Sequence, residues 1–371
     1  MTIGLDFLSA SVMAPLISSG FVFMLSLGLT YFVILYAKKL GLLMDVPDER
    51  SSHLKPNPRG GGVAIVATLV ISYLVFNMGL DVSEPLIWAL LGCGGSAAVI
   101  GWIDDHRSIS PWRRLTAYLG ICVIAVMILG PIQTLTFGSY TLGLNIFAYP
   151  VTIAGLLWML NLYNFMDGID GQATLTGIFV CGAILLMTSC GVIHCSRETT
   201  VYLALFVTFA GFLPWNFPPA RIFLGDVGSC FIGFTFGALM IDSARAGGEG
   251  GDPILLWTWL ILLCHFIVDA SLTLMLRMAR GEQWSQPHRK HLFHRILKIY
   301  EMRYMKKGYA PEKMRRLSHL QVNKWIQGAN CLLVLPCAFA AQSMPAYAPI
   351  IFGGLLCVYS GVLLYVDAKH P

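Results

Sequence analysis

The chain is dominated by apolar stretches long enough to cross a bilayer. Eleven runs of nearly 20 mostly apolar residues centre near Leu25, Thr68, Gly94, Val123, Leu156, Leu185, Val207, Phe236, Leu262, Leu335 and Leu355. About 20 residues of helix cross a hydrocarbon core ~30 Å thick. Inside that core every backbone N–H and C=O must be paired within the segment, so runs of this length fold as helices. Only 12% of the 371 residues are charged, against roughly 25% in a soluble domain. The expected architecture is all-α, one polytopic membrane domain over residues 1–371 with about 11 transmembrane helices. No basic n-region precedes the first run, which continues past Phe21 to Tyr36, so it reads as a membrane helix rather than a removable signal.

Lys and Arg set the orientation. Lys38, Lys39, Arg50, Lys55, Arg59, Arg107, Arg113, Arg114, Arg221, the segment from Arg277 to Arg316, Lys324 and Lys369 fall on one side, and Arg197 and Arg245 on the other. The positive side is expected to be cytoplasmic, with the N-terminus out and the C-terminus in. The same assignment puts Asp104, Asp105, Asp167, Asp170, Asp226 and the His-rich stretch 288–294 on the cytoplasmic face. An anion transporter would instead place polar groups at mid-membrane and on both sides. Residues 277–322 form the one long basic loop, in which Leu292, Ile296, Ile299 and Tyr300 oppose Arg295, Lys298 and Arg303. That spacing suits a basic interfacial helix or a solvated connector. The ten cysteines form no Cys-x-x-Cys pair; they are expected as free thiols, with a Cys190–Cys195 bridge as the alternative.

Five polar blocks interrupt this apolar background. Asp45 to Gly62 contains three prolines and ends in Gly60-Gly61-Gly62, where backbone N–H groups at a helix start suit an anion. Gly101-Trp102-Ile103-Asp104-Asp105-His106 ends the third run. Neighbouring helical residues point about 100° apart, so its two acids should serve different partners. Asn161, Asn164, Asp167 and Asp170 step by three, with Gly168 and Gly171 beside the acids, a spacing that drifts slowly around a helix and keeps them on one contiguous surface. Asn216 to Ser229 places Pro218-Pro219 before Gly225-Asp226-Val227-Gly228-Ser229, and Asp226 is the best single metal-ligand candidate. Pro287 to Arg295 collects His288, His291, His294 and Arg295, suited to phosphate oxygens. His265 reads as a packed polar residue, His194 and His319 as surface, and Asp269 as a support for the His-rich loop.

Oxygen ligands favour Mg²⁺, or Mn²⁺ in its place, completed by substrate phosphates. Cationic loops favour phosphoanions, and the bilayer favours a lipid. Together they imply metal-assisted phosphoryl transfer between a soluble and a lipid phosphate at the cytoplasmic interface. Taken in this order, the five blocks over residues 45–295 resemble the polyprenyl-phosphate N-acetylhexosamine-1-phosphate transferases, which include the phospho-MurNAc-pentapeptide translocases. The resemblance implies attack by undecaprenyl phosphate on the β-phosphorus of a UDP-N-acetylhexosamine, with UMP released. It implies Mg²⁺ on Asp170 and Asp226, and Asp104 and Asp105 near the lipid phosphate. Asp167 would shape the nucleotide site and Phe223 border the uracil, with His53, Arg59 and Asn164 also binding substrate. His291, His294 and Arg295 would hold sugar or phosphate.

Phe293 stands where this family often has a histidine. The block Glu49-Arg50-Ser51-Ser52-His53 is similar to the subgroup that starts O-antigen and related surface polysaccharides, leaving GlcNAc and 6-deoxy sugars such as FucNAc or QuiNAc open. Phospho-MurNAc-pentapeptide transfer is the alternative within the family. The resemblance further implies a multi-pass protein of a bacterial inner membrane, no nucleic-acid partner, and a homodimer as an open alternative to the monomer.

Overall fold

The computed structural model describes residues 10–41, 44–45, 56–76, 83–193, 199–245, 254–283 and 289–369, with side chains from residue 17 onward. The chain is all-α and polytopic, as its apolar runs require. The helices are α1 (Ala10–Leu40), α2 (Gly62–Phe76), α3 (Glu84–His106), α4 (Pro111–Leu129), α5 (Ala148–Phe165), α6 (Gln172–Ser189) and α7 (Thr199–Asn216). They are followed by α8 (Gly225–Arg245), α9 (Leu256–Leu262), α10 (Cys264–Ala279), α11 (Leu292–Lys306), α12 (Pro311–Ser343) and α13 (Pro345–Lys369). Two small antiparallel pairs complete the described elements: β1 (Met44–Asp45) with β2 (Asn57–Pro58), and β3 (Thr134–Phe137) with β4 (Tyr140–Gly143).

Each of the eleven apolar runs is helical, but not each is a straight span. Among the described residues nine helices have the length and composition to cross a membrane, and the α9–α10 pair, bent by 75°, makes a tenth unit. Among the described residues the run around Thr68 gives the 15-residue α2. The long basic segment is also more helical than a loop: α11 occupies residues 292–306 and α12 begins at Pro311. The interfacial pattern at Leu292, Ile296 and Tyr300 therefore does mark a helix. Pro311 at the first helical turn explains the early start of α12, because proline fits there without losing a helical hydrogen bond.

The core is built around α8. Its 18-residue apolar window is 89% buried, against 28% for α1 and 11% for α13. Gly233 and Gly237 let α5 approach closely: a methyl group at Gly233 would sit 2.8 Å from the Met159 carbonyl oxygen, and one at Gly237 2.6 Å from Leu156 Cδ1. Small residues four apart are the usual means by which membrane helices pack backbone to backbone. At the start of α8, Gly228 packs against Gly62 of α2, and a side chain at Gly101 of α3 would meet the Asp226 backbone at 2.5 Å. Three helices thus converge where the acids sit.

Candidate functional site

Alternation of the helices brings the ends of α3, α5 and α7 and the starts of α4, α6 and α8 to one end of the bundle. Four carboxylates gather there. Asp104 and Asp105 close α3 and diverge, as expected from adjacent helical residues. One Asp104 oxygen accepts the Ile109 N–H at 2.6 Å, and the other lies 2.6 Å from Arg114 Nη1. Asp105 points toward the start of α8, where its Oδ2 accepts the Val227 N–H at 3.4 Å. The donors at that helix start are therefore already directed at an acid of α3.

Asp226 lies in the first turn of α8 but reaches across the site rather than capping its own helix. Arg114 Nη1 is 3.2 Å from its Oδ2, and Asn164 Nδ2 donates to its Oδ1 at 2.9 Å and to Ser229 Oγ at 3.0 Å. Arg114, named from sequence only among the cations that set the orientation, therefore bridges Asp104 and Asp226. The bridge is not sealed: the Arg114 and Asp226 side chains keep 23% and 28% of their surface exposed. A ligand can reach both.

The stretch 161–171 is not one helix. α5 ends at Phe165, and Gly171 adopts φ +77° before α6 begins, a conformation glycine reaches without strain. Asp167 and Asp170 consequently sit on a turn. Asn161 turns back to the Leu157 carbonyl. Asp167 is half-buried, and its carboxyl is pushed up to about 8, first by burial and then by the negative charges of Asp226 and Asp105, with Arg59 acting in the opposite sense. Acids outnumber cations here. That imbalance, and a donor set made only of oxygens, fits a hard divalent cation. Among the described residues no three His, Cys, Asp or Glu side chains are grouped to cage a metal. The fit is therefore to an ion completed by substrate oxygens.

Asp170 was expected beside Asp226 as a second metal ligand. Its Oδ2 instead accepts the Ala220 N–H at 2.9 Å, and its Oδ1 is 3.4 Å from His319 Nδ1. It ties the turn to the segment 216–222, which Asn57 and Asn216 also hold through the Ala220 and Ile222 carbonyls. His319, expected at the surface, is 2% exposed, because α12 packs that face against α6. His265, in contrast, is the packed polar residue expected, 3.5 Å from Thr176 Oγ1.

Phe223 sits between β2 and the glycine turn, donating its N–H to Pro58 O and accepting the Gly61 N–H, both at 2.9 Å. Arg59 pairs with Asp45 at 2.9 Å. His53 and His288 lie outside the described residues, as does Cys195 and with it the Cys190 pairing.

The His-rich segment docks onto the acid-bearing turn. A side chain at Gly168 would meet the Phe293 ring at 2.7 Å and the His294 ring at 3.0 Å, so Gly168 makes room for both. Asp269 supports the segment as expected, accepting Leu292 N–H at 2.8 Å and facing His291 Nδ1 at 3.2 Å. Arg295 is 8% exposed; it donates to the Lys290 carbonyl at 2.9 Å and pairs with Asp367 of α13 at 2.5 Å. His291 and Arg295 thus brace the segment, while His294 faces the turn. Arg114, His319, Asn323 and Asp367 are the residues missed from sequence, because each belongs to a helix whose partner only the fold supplies.

Comparison with known proteins agrees with this geometry. The pattern of glycosyl transferase family 4 matches residues 87–244, from early α3 to the end of α8. The chain is 26% identical over 289 residues to the undecaprenyl-phosphate alpha-N-acetylglucosaminyl 1-phosphate transferase of Yersinia pestis, covering 75% of each chain. It is 28% identical over 298 residues to the decaprenyl-phosphate N-acetylglucosaminephosphotransferase of Mycolicibacterium smegmatis, covering 73% of each. It is 25% identical over 279 residues to the Escherichia coli K12 protein with the same name as the Yersinia relative, covering 72% of each. With its polar blocks converging at one end of an apolar bundle, the chain is similar to the polyprenyl-phosphate N-acetylhexosamine-1-phosphate transferases.

Proposed function

We propose that the protein transfers an N-acetylhexosamine 1-phosphate from a UDP-sugar to undecaprenyl phosphate, releasing UMP and starting a lipid-linked glycan such as O-antigen at the cytoplasmic face of a bacterial inner membrane. The observation that carries this reading is Arg114, partly exposed, bridging Asp104 and Asp226 at the end of a membrane bundle. The names of the relatives support the lipid and make N-acetylglucosamine the first sugar to test.

In the reaction an oxygen of the lipid phosphate forms a bond to the β-phosphorus of the UDP-sugar. The bond from that phosphorus to the bridging oxygen breaks, and its electron pair leaves on UMP. A phosphate monoester has its second pKa near 6, so the nucleophile needs no proton removed at neutral pH. Asp104, with one oxygen on Ile109 N–H and the other on Arg114, fits the task of orienting Arg114 better than that of a base. A guanidinium has five N–H donors, so Arg114 retains donors for phosphate oxygens while bridging the acids. Asp226, with Asp167 in place of the otherwise engaged Asp170, would hold Mg²⁺ or Mn²⁺. The ion would supply charge neutralisation on the diphosphate. Positioning and charge carry the acceleration, as in other phosphoryl transfers.

Membranes containing the protein should release UMP from UDP-N-acetylglucosamine only when polyprenyl phosphate and Mg²⁺ are both present, and a chelator should abolish release until Mg²⁺ is restored. Asp226→Asn and Asp104→Asn should each lower the rate about 10²-fold or more, the scale for removing a group that stabilises developing charge. Full activity in both variants, or no release from any UDP-sugar in a panel, would overturn the reading.

A further inference from the structure

The acid-bearing turn between α5 and α6 has little to fix it locally. Its backbone bonds run to the adjoining helix ends: Met166 N–H to Leu162 O at 3.2 Å, Asp167 N–H to Asn164 O at 3.3 Å, Gln172 N–H to Ile169 O at 3.1 Å and Leu175 N–H to Gly171 O at 2.8 Å. Gly168 and Gly171 add conformational freedom that must be lost on ordering. The Asp170 carboxylate, on the Ala220 N–H at 2.9 Å, fastens one edge of the turn, and its backbone needs a second hold.

α12 supplies it. His319 Nδ1 lies 3.3 Å from the Asp170 backbone N, and Asn323 Nδ2 donates to the Asp170 carbonyl at 2.8 Å. The two residues are four apart and so stand one above the other on one helix face. They are 2% and 3% exposed. Together they take both backbone polar groups of a single residue, about 150 positions away in sequence. Their remaining polar atoms, His319 Nε2 and Asn323 Oδ1, have no hydrogen-bond partner among the described residues. Burying such atoms is costly, and apolar side chains would have filled the same space without that penalty. The polar pair is therefore explained by what it does for Asp170, not by packing.

We propose that His319 and Asn323 are positioning residues, which clamp the backbone of the 166–171 turn and so hold its acids at the site during transfer. The assignment rests on the reaction proposed above, but the clamp itself has a readout independent of activity. In the purified full-length protein in detergent, His319→Leu and Asn323→Leu remove one bond each. His319→Asn keeps an amide oxygen and N–H near the place of Nδ1.

Amide hydrogen exchange of peptides spanning 164–172 should speed up about tenfold in each leucine variant, the weight of one hydrogen bond, and return toward wild type in His319→Asn. The rate of UMP release at saturation should fall about tenfold in the leucine variants, with KM for the UDP-sugar within about threefold and thermal midpoints within a few degrees. His319→Asn should recover most of the rate. Unchanged exchange in the turn, or a rate loss that follows the thermal midpoint and is not rescued by asparagine, would overturn the proposal. If the leucine variants do not fold, His319→Ala and Asn323→Ala carry the same comparison. If wild type releases no UMP from any sugar, the transfer reading fails, and the exchange measurements still decide whether α12 clamps the turn.

Discussion

A carboxyl group deprived of water resists ionisation, and at Asp167 two neighbouring acids reinforce that resistance. Its pKa is raised from 3.8 to about 8 by burial, Asp226 and Asp105. For an acid shifted upward, the linked stability is fully present below pH ~4 and is lost as pH rises toward 8. Without divalent metal, the thermal midpoint of the wild type should therefore fall between pH 5 and 8.5 by a few degrees. Asp167→Asn should flatten that slope while lowering UMP release. Parallel slopes in the two proteins would show that Asp167 does not carry the effect. The acids themselves were legible in the sequence, because carboxylates beside long apolar runs have few bland explanations. Their partners were not. Arg114 read only as one of the cations that set the orientation, and His319 as a surface histidine. A histidine's burial depends on which helix faces it, and that pairing is not written locally.

The elements that place these residues depend on close backbone approach. At the α8–α5 crossing, Gly233 faces the Met159 carbonyl and Gly237 faces Leu156. A Gly237→Leu substitution should cost roughly 1–3 kcal/mol from overpacking and lower both the detergent thermal midpoint and activity. Leu364→Ala on the exposed face of α13 should leave both nearly unchanged. Equal tolerance at the two positions would contradict the packing described. Apolar length made all eleven helical regions legible, whereas bends and shortening were not. The 75° break between α9 and α10 falls inside an unbroken apolar run, since composition reports what a segment touches and not where its axis turns. The turn at 166–171 was misread as helix because a step of three looks helical until Gly168 and Gly171 are given their backbone conformations.

On the scale of the molecule, the end of the chain reaches back to the site. Asp367, near the close of α13, pairs with Arg295 and with Arg280 of the segment after α10. It thus anchors the His-rich segment that packs on Gly168. Asp367→Asn should lower the rate of UMP release about 10-fold with little loss of folded protein, and exchange should quicken in peptides covering 289–296. An unaltered rate would confine Asp367 to fastening the C-terminal helix. The arrangement of the bundle carries one more consequence. α8 is sheathed by protein along 89% of its apolar window, while α13 meets the lipid along most of its own. When a bilayer is thinner or thicker than a helix, the lipid-facing helices tilt to match it. Here α8, which carries Asp226, is sheltered from that adjustment, whereas α3 and α4, which carry Asp104 and Arg114, are only 39% and 33% buried, so hydrophobic mismatch should reach the site through the Arg114 bridge.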